Sequence, residues 1–238
     1  NSCYVPRVGA SNVLMGTYTV PDCSQNHYDR YDHEGWVPPK NIFIWGNNPL
    51  VSNADGNLGH WIVDCMKRGS KLVVIDPKLT WLAARADLWL QIRCGTDAAL
   101  ALAMGKFIVE EDLYDHEFVE RWCYGFEEYY EATREWTLER AAEVTWLPED
   151  KIAQAARMMA EKPTAVQWGL ALDMTMECLA GSAAVIDLCT RMVVGYIEGF
   201  HNRARPHSTI GYQTPAGKTE AFMERCDAAF AEPAAGSD

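Results

Sequence analysis

The order of apolar and polar positions singles out the stretch from Asn41 to Asp97. Asn41 to Trp45 (NIFIW) is a short apolar run of strand type, closed by the loop Gly46-Asn47-Asn48-Pro49. Leu58, Trp61, Ile62, Cys65 and Met66 then recur at i, i+3, i+4, i+7 and i+8, one face of a helix. Gly69 stops that helix, because glycine takes the left-handed C-cap conformation without a Cβ clash. Lys71 to Ile75 (KLVVI) reads as a second buried strand, ending in Asp76-Pro77. Strand, helix, strand in this order is a βαβ crossover, so the two strands are expected to be parallel neighbours.

The same signals continue downstream. Thr96-Asp97 opens a helix over Ala98 to Glu110, with the acid at its favourable amino end. Phe118 to Trp146 holds at least two short helices packed by aromatic residues. Pro148 begins another helix, with Ile152, Ala155, Ala156 and Met159 as its buried stripe. Thr164 to Gly169 (TAVQWG) is a third buried strand, and Met176 to Cys189 a helix that packs on the sheet. Residues 1–40 are polar, aromatic and poorly periodic, a loop-rich lead-in with one short helix. The fold class is therefore α/β: a parallel, Rossmann-like sheet flanked by helices over 41–189, with a helical or loop extension over 190–238.

Composition narrows the partners. The chain has 238 residues, 48% hydrophobic, with a formal net charge of −12, which argues against a general nucleic-acid surface. No apolar run is long enough for a membrane span. The 8 cysteines form no CxxC pair, so a zinc ribbon or an iron–sulfur cluster is not expected in this chain, and a reducing compartment suits them. His27, Asp29, Asp32 and His33 lack helical or CxH spacing for a metal. The chain begins at Asn1 without a methionine or targeting segment. It is read as a fragment whose export signal, if any, lies upstream, and its localisation stays unknown.

Candidate chemistry collects at the strand ends. The Gly46 loop lies at the carboxyl end of the first strand, where open α/β sheets bind ligands. Gly46 lets backbone approach a ligand, and the helix that follows favours a phosphate. Asp76, at the end of the second strand, suits ribose hydroxyls. The loop lacks the dinucleotide GxGxxG pattern, so the residues alone leave a nucleotide site and an ordinary turn both open.

The ordered series WGNNP, VVIDPK, AD-LWLQI, CGTDAALALAMG, LYDHEFVERWCYGF and AVQWG resembles the molybdopterin oxidoreductase family of the dimethyl sulfoxide reductase type, over about Asn41 to Cys189. The resemblance implies a domain for molybdopterin guanine dinucleotide. Gly46, Asn47 and Asn48 would line the pyrophosphate and pterin side, with Gly169 also against the pterin. Asp76 would meet the guanosine ribose, while Gly95, Thr96 and Asp97 would hold the guanine. A carboxylate can accept from both guanine N1–H and the exocyclic amine. Lys78 stands where the family usually has arginine, so a planar fork becomes a point charge. Cys94 replaces the usual proline. The family's molybdenum ligand lies a few dozen residues before the loop, followed by proline and valine. Cys3-Tyr4-Val5-Pro6-Arg7-Val8 fits that pattern, and a soft thiolate suits molybdenum; a free cysteine near a terminus is the alternative.

Beyond Cys189 the sequence TRMVVGYIEGFHNRARPHSTIGYQTPAG resembles the carboxyl end of insertion-sequence transposases with an integrase-type core, over about 190–217. Arg203, Arg205 and Lys218 there suit phosphates, but the family's acidic metal-binding triad has no counterpart upstream. Three functions follow for test. One is a molybdopterin-binding piece of an oxidoreductase, with a small-molecule redox substrate, an electron-transfer subunit and impaired turnover by itself. The second is DNA integration through the tail. The third is a non-catalytic α/β remnant.

Overall fold

The computed structural model describes residues 5–6, 8–10, 37–52, 57–123, 125–169, 171–172 and 178–192. All fall in the first of two compact units, 1–193; the second, 194–238, lies outside the described residues, as do Cys3, the His27–His33 cluster and the transposase-like stretch from residue 193 onward.

Four strands form the sheet: β1 (Asn41–Trp45), β2 (Lys71–Ile75), β3 (Leu88–Leu90) and β4 (Thr164–Trp168). Every pair is parallel and the order is β3-β2-β1-β4, with Trp45 opposite both Ile75 and Trp168. The helices are α1 (Pro49–Ser52), α2 (Asn57–Lys67), α3 (Asp97–Glu110), α4 (His116–Trp122), α5 (Phe126–Thr133), α6 (Leu138–Thr145), α7 (Glu149–Ala160) and α8 (Cys178–Met192).

Side chains alternate across the pleat, so each strand feeds two cores. Ile42, Ile44, Leu72 and Val74 pack against Trp61, Ile62 and Cys65 of α2, with Leu58 and Met66 at the margin. Phe43, Trp45, Val73 and Ile75 face the other way, onto α3, α7 and α8 through Leu100, Met104, Ile152, Met159 and Leu188. The two faces follow from the path of the chain. From β1 it steps outward to β2 and β3, then returns past β1 to β4. Right-handed crossovers in opposite directions must cover opposite faces of a sheet.

The expected βαβ unit, the third strand and the buried stripes of α2 and α7 are all present. Three details differ. Leu88–Leu90 is a fourth strand, too short to give a periodic signal by itself. The loop after β1 passes at once into the single turn α1, because Val51 and Ser52 donate back to the Asn48 carbonyl. Pro148 is the residue before α7 rather than its first, with extended backbone at ψ 140°. Among the described residues no helix is long and apolar enough to cross a membrane.

Candidate functional site

Parallel strands send all their carboxyl ends to one rim, and the segments leaving that rim carry the candidate residues. The reversal of the chain's path at β1 makes the β1–β4 boundary the topological switch point, the place where open α/β sheets carry their ligands. Gly46 leaves β1 at φ +56°, and its N–H donates to the Ile75 carbonyl at 2.9 Å. Gly169 leaves β4 with its N–H donating to the Trp45 carbonyl at 2.9 Å. The two exits press together: a Cβ at Gly169 would overlap the Gly46 carbonyl oxygen and lie 2.8 Å from both Cα and Cβ of Asn47. Asn48 keeps its side-chain oxygen Oδ1 buried and without a hydrogen-bond partner, although its carbonyl holds α1.

Asp76 follows β2. Its N–H donates to the Leu90 carbonyl at 3.2 Å, and its Oδ1 accepts from the Lys78 backbone N–H at 2.8 Å. Trp89 Nε1 donates to the Asp76 carbonyl at 2.9 Å, which fixes the corner from the β3 side. Burial pushes the Asp76 carboxyl above its ordinary range, against the pull of the Lys78 amide and ammonium.

Asp97 is the first residue of α3. Gly95 at φ +80° and the Thr96 hydroxyl, donating to the Arg93 carbonyl at 2.7 Å, shape the turn that delivers it. Trp45 Nε1 donates to Asp97 Oδ1 at 2.8 Å. Burial raises the Asp97 carboxyl too, the Trp45 hydrogen bond and the residue's own amide oppose this, and the charge on Asp76 raises it further. The Asp76 charge is thus a minor influence on Asp97, beside burial and the Trp45 hydrogen bond.

The structure thus brings Gly46, Asn47, Asn48 and Gly169 to one corner, Asp76 and Lys78 to a second, and Gly95, Thr96 and Asp97 to a third. Lys78 and Cys94 are exposed. Among the described residues no cluster of three or more His, Cys, Asp or Glu is placed to hold a metal. Sequence reasoning passed over Trp45, whose indole links the strand to Asp97. The available signal was a tryptophan, with its polar N–H, ending an otherwise buried aliphatic and aromatic strand.

Known proteins resemble this chain in sequence and fold. The family model described as "Molybdopterin oxidoreductase" matches residues 11–218, a span that includes the 190–217 stretch likened above to a transposase end. Acetylene hydratase of Syntrophotalea acetylenica is 43% identical over 147 residues, 61% of this chain and 20% of that protein. Formate dehydrogenase H of Escherichia coli (strain K12) is 35% identical over 170 residues, 71% of this chain and 22% of its own length. The chain spans about a fifth of the length of these curated relatives. The solved structure of acetylene hydratase from Pelobacter acetylenicus superposes with a TM-score of 0.67 at 33% identity, covering 84% of this chain and 26% of that one. A family match across most of the sequence, joined to a shared fold at that identity, establishes that the chain belongs to the molybdopterin oxidoreductase family.

Proposed function

We propose that this stretch is the nucleotide-gripping part of a molybdenum oxidoreductase, and that it holds molybdopterin guanine dinucleotide across the carboxyl rim of the sheet. The observation that carries this is the convergence of the Gly46–Gly169 corner with two half-buried carboxylates on one rim. The residues fit the group. The two glycines let the β1 and β4 exits pack against each other, and Gly46 at φ +56° turns the chain into the Asn47-Asn48 loop, whose backbone is proposed to meet the pyrophosphate. The unpartnered Asn48 oxygen is an acceptor waiting for a ligand N–H. Asp76 accepts from ribose hydroxyls, and Lys78 beside it supplies the positive charge a phosphate needs. Asp97 accepts from the guanine edge, with Gly95 and Thr96 setting its approach.

When bound, the group supplies a metal able to change oxidation state and so to carry electrons or an oxygen atom. Cys3 is proposed as the thiolate on that metal. The relatives' names support a carrier role over a substrate role. One is a hydratase and another a formate dehydrogenase, so the stretch they share with this chain is best explained by what their chemistries have in common, the cofactor. A small-molecule substrate, an electron-transfer subunit and any iron–sulfur cluster are assigned to surfaces other than this rim. DNA integration gains no supporting observation, because 190–217 falls inside the family match.

The test is direct. The chain is produced in a host that makes the cofactor, purified, and assayed for molybdenum by mass spectrometry and for GMP released by acid. Wild type is expected to retain both, and Asp97→Ala to lose them. Wild-type protein that carries neither, from a host whose other molybdoenzymes are loaded, refutes the assignment.

A further inference from the structure

Trp45 closes the central strand, fully buried, in register between Ile75 and Trp168. Packing alone would be met by an aliphatic or phenyl side chain, as Ile44 and Phe43 meet it one and two places earlier. What the indole adds is a single donor with no acceptor beside it. That donor is spent on Asp97 Oδ1, 52 residues away in sequence, over 2.8 Å. An N–H can face only an acceptor, so it dictates which atom of residue 97 is turned inward and which is left for the rim. We propose that Trp45 is a positioning residue: by holding Oδ1 of Asp97 it fixes the side chain and leaves the other carboxylate oxygen for the rim, where it accepts from a base edge carrying N–H donors and repels one carrying an acceptor. The inference rests on the nucleotide assignment made above.

The consequence is sharpest in an Asp97→Asn variant. An amide has one oxygen and one NH2. With Trp45 in place, the oxygen must face the indole and the NH2 must face the ligand. The site then offers a donor where it offered an acceptor, and a base with a carbonyl at that edge, such as xanthine, becomes the better partner. Replacing Trp45 by Phe frees the amide to rotate, and the preference disappears. A tryptophan that only braced α3 would weaken both bases alike and leave their ratio unchanged.

The experiment measures GDP and xanthosine diphosphate binding by calorimetry on the full chain, as wild type, D97N and W45F/D97N. Wild type is expected to favour GDP by about tenfold or more, in line with one hydrogen bond to a charged group. D97N should reverse that preference, and the double variant should return the ratio to near one. In parallel, nitrogen-15 spectra should show one indole N–H resonance that titrates in wild type and stops titrating in D97N. The reversal in D97N needs no change at Trp45, so it decides even if W45F does not fold, and the resonance reports the hydrogen bond behind it. A ratio equal in D97N and W45F/D97N, or indole resonances indifferent to D97N, overturns the positioning role while GDP binding stands. Wild type that binds no GDP overturns the nucleotide assignment itself, and this inference with it.

Discussion

The closest approach on the rim gives the most exacting prediction, Gly169→Ala. The new Cβ would sit 2.8 Å from two Asn47 atoms and overlap the Gly46 carbonyl oxygen, all of it on the β1 exit rather than on a flexible side-chain end. Ordinary contact begins near 3.4 Å, so the Asn47 atoms alone require about 0.6 Å of backbone movement and the Gly46 oxygen requires more. Both β4 and β1 are tied at this point, since Gly169 N–H donates to the Trp45 carbonyl and Gly46 N–H to that of Ile75. Overpacking of this kind costs about 1–3 kcal/mol. Part of the relief will come from displacing the Gly46-Asn47-Asn48 loop, which is the proposed pyrophosphate cradle. Urea unfolding monitored by tryptophan fluorescence should show a lower midpoint with unchanged slope, and GDP or cofactor retention should fall more than the stability loss explains. Gly69→Ala is the control. Gly69 sits at φ +100° with nothing within 4 Å of its missing Cβ, at the amino end of β2. It should destabilise by about 1–2 kcal/mol through backbone strain and leave binding intact. Equal stability of G169A and wild type, or equal binding loss in both variants, refutes the cradle.

Other outcomes follow from the charges and thiols. Asp76 and Asp97 hold protons more tightly than free carboxyls, so nucleotide retention should fall on acidification at a pH above the ordinary carboxylate range, read by equilibrium dialysis. The sign for the empty protein is opposite. The folded state binds more protons through that window, so these two groups add stability as pH falls and lose it as pH rises through their raised values. Asp115 behaves the other way. Its hydrogen bond from Lys162 at 2.7 Å, and its cap on the Phe118 N–H, hold its carboxyl below the usual range, so its contribution is lost as pH falls. Asp115→Ala should cost about 1 kcal/mol by urea midpoint, mainly the cap. Cys65 is buried with its thiol pushed up to about 12, and should resist alkylation at pH 8, whereas exposed Cys94 should label readily and be protected by bound nucleotide, as peptide mapping would record.

The sequence was legible where its periods are long. Leu58 through Met66 and Ile152 through Met159 face their cores as spaced. The strand runs NIFIW and KLVVI pair as parallel neighbours because continuous apolar runs suit a sheet covered on both faces, whereas TAVQW, expected as a buried strand, is an edge strand of the described sheet, half-buried from Ala165 to Trp168. Leu88–Leu90 was not legible: a three-residue strand is defined by pairing with Val73 to Ile75, a tertiary fact with no local period. The Gly46 loop, Asp76 and Asp97 were found through their ends-of-strand positions and family motifs. Trp45 was not, since nothing in a strand pattern says that an indole N–H reaches the first turn of a distant helix.

That hidden link bears on how the proposed site is built at this rim. Asp97 belongs to α3, whose Leu100, Ala101 and Met104 are buried against the sheet face that also carries Trp45. Burying this apolar stripe therefore fixes the height of α3 on the sheet, and the indole fixes the rotation of its first residue. Asp76, by contrast, is set without α3, through the Leu90 carbonyl, the Trp89 indole and the Lys78 backbone amide. The two carboxylates are thus placed by independent parts of the fold, yet they are close enough for one charge to raise the other. Bringing like charges together costs free energy in the empty protein. Lys78 beside Asp76 and the Trp45 indole on Asp97 offset part of that cost, and the remainder is what the donors of a bound ligand would relieve at the proposed site. Replacing Asp76 by Asn should therefore stabilise the empty chain by a few tenths of a kcal/mol to about 1 kcal/mol while weakening nucleotide binding. A variant that lost both stability and binding would place the two carboxylates in a structural network instead.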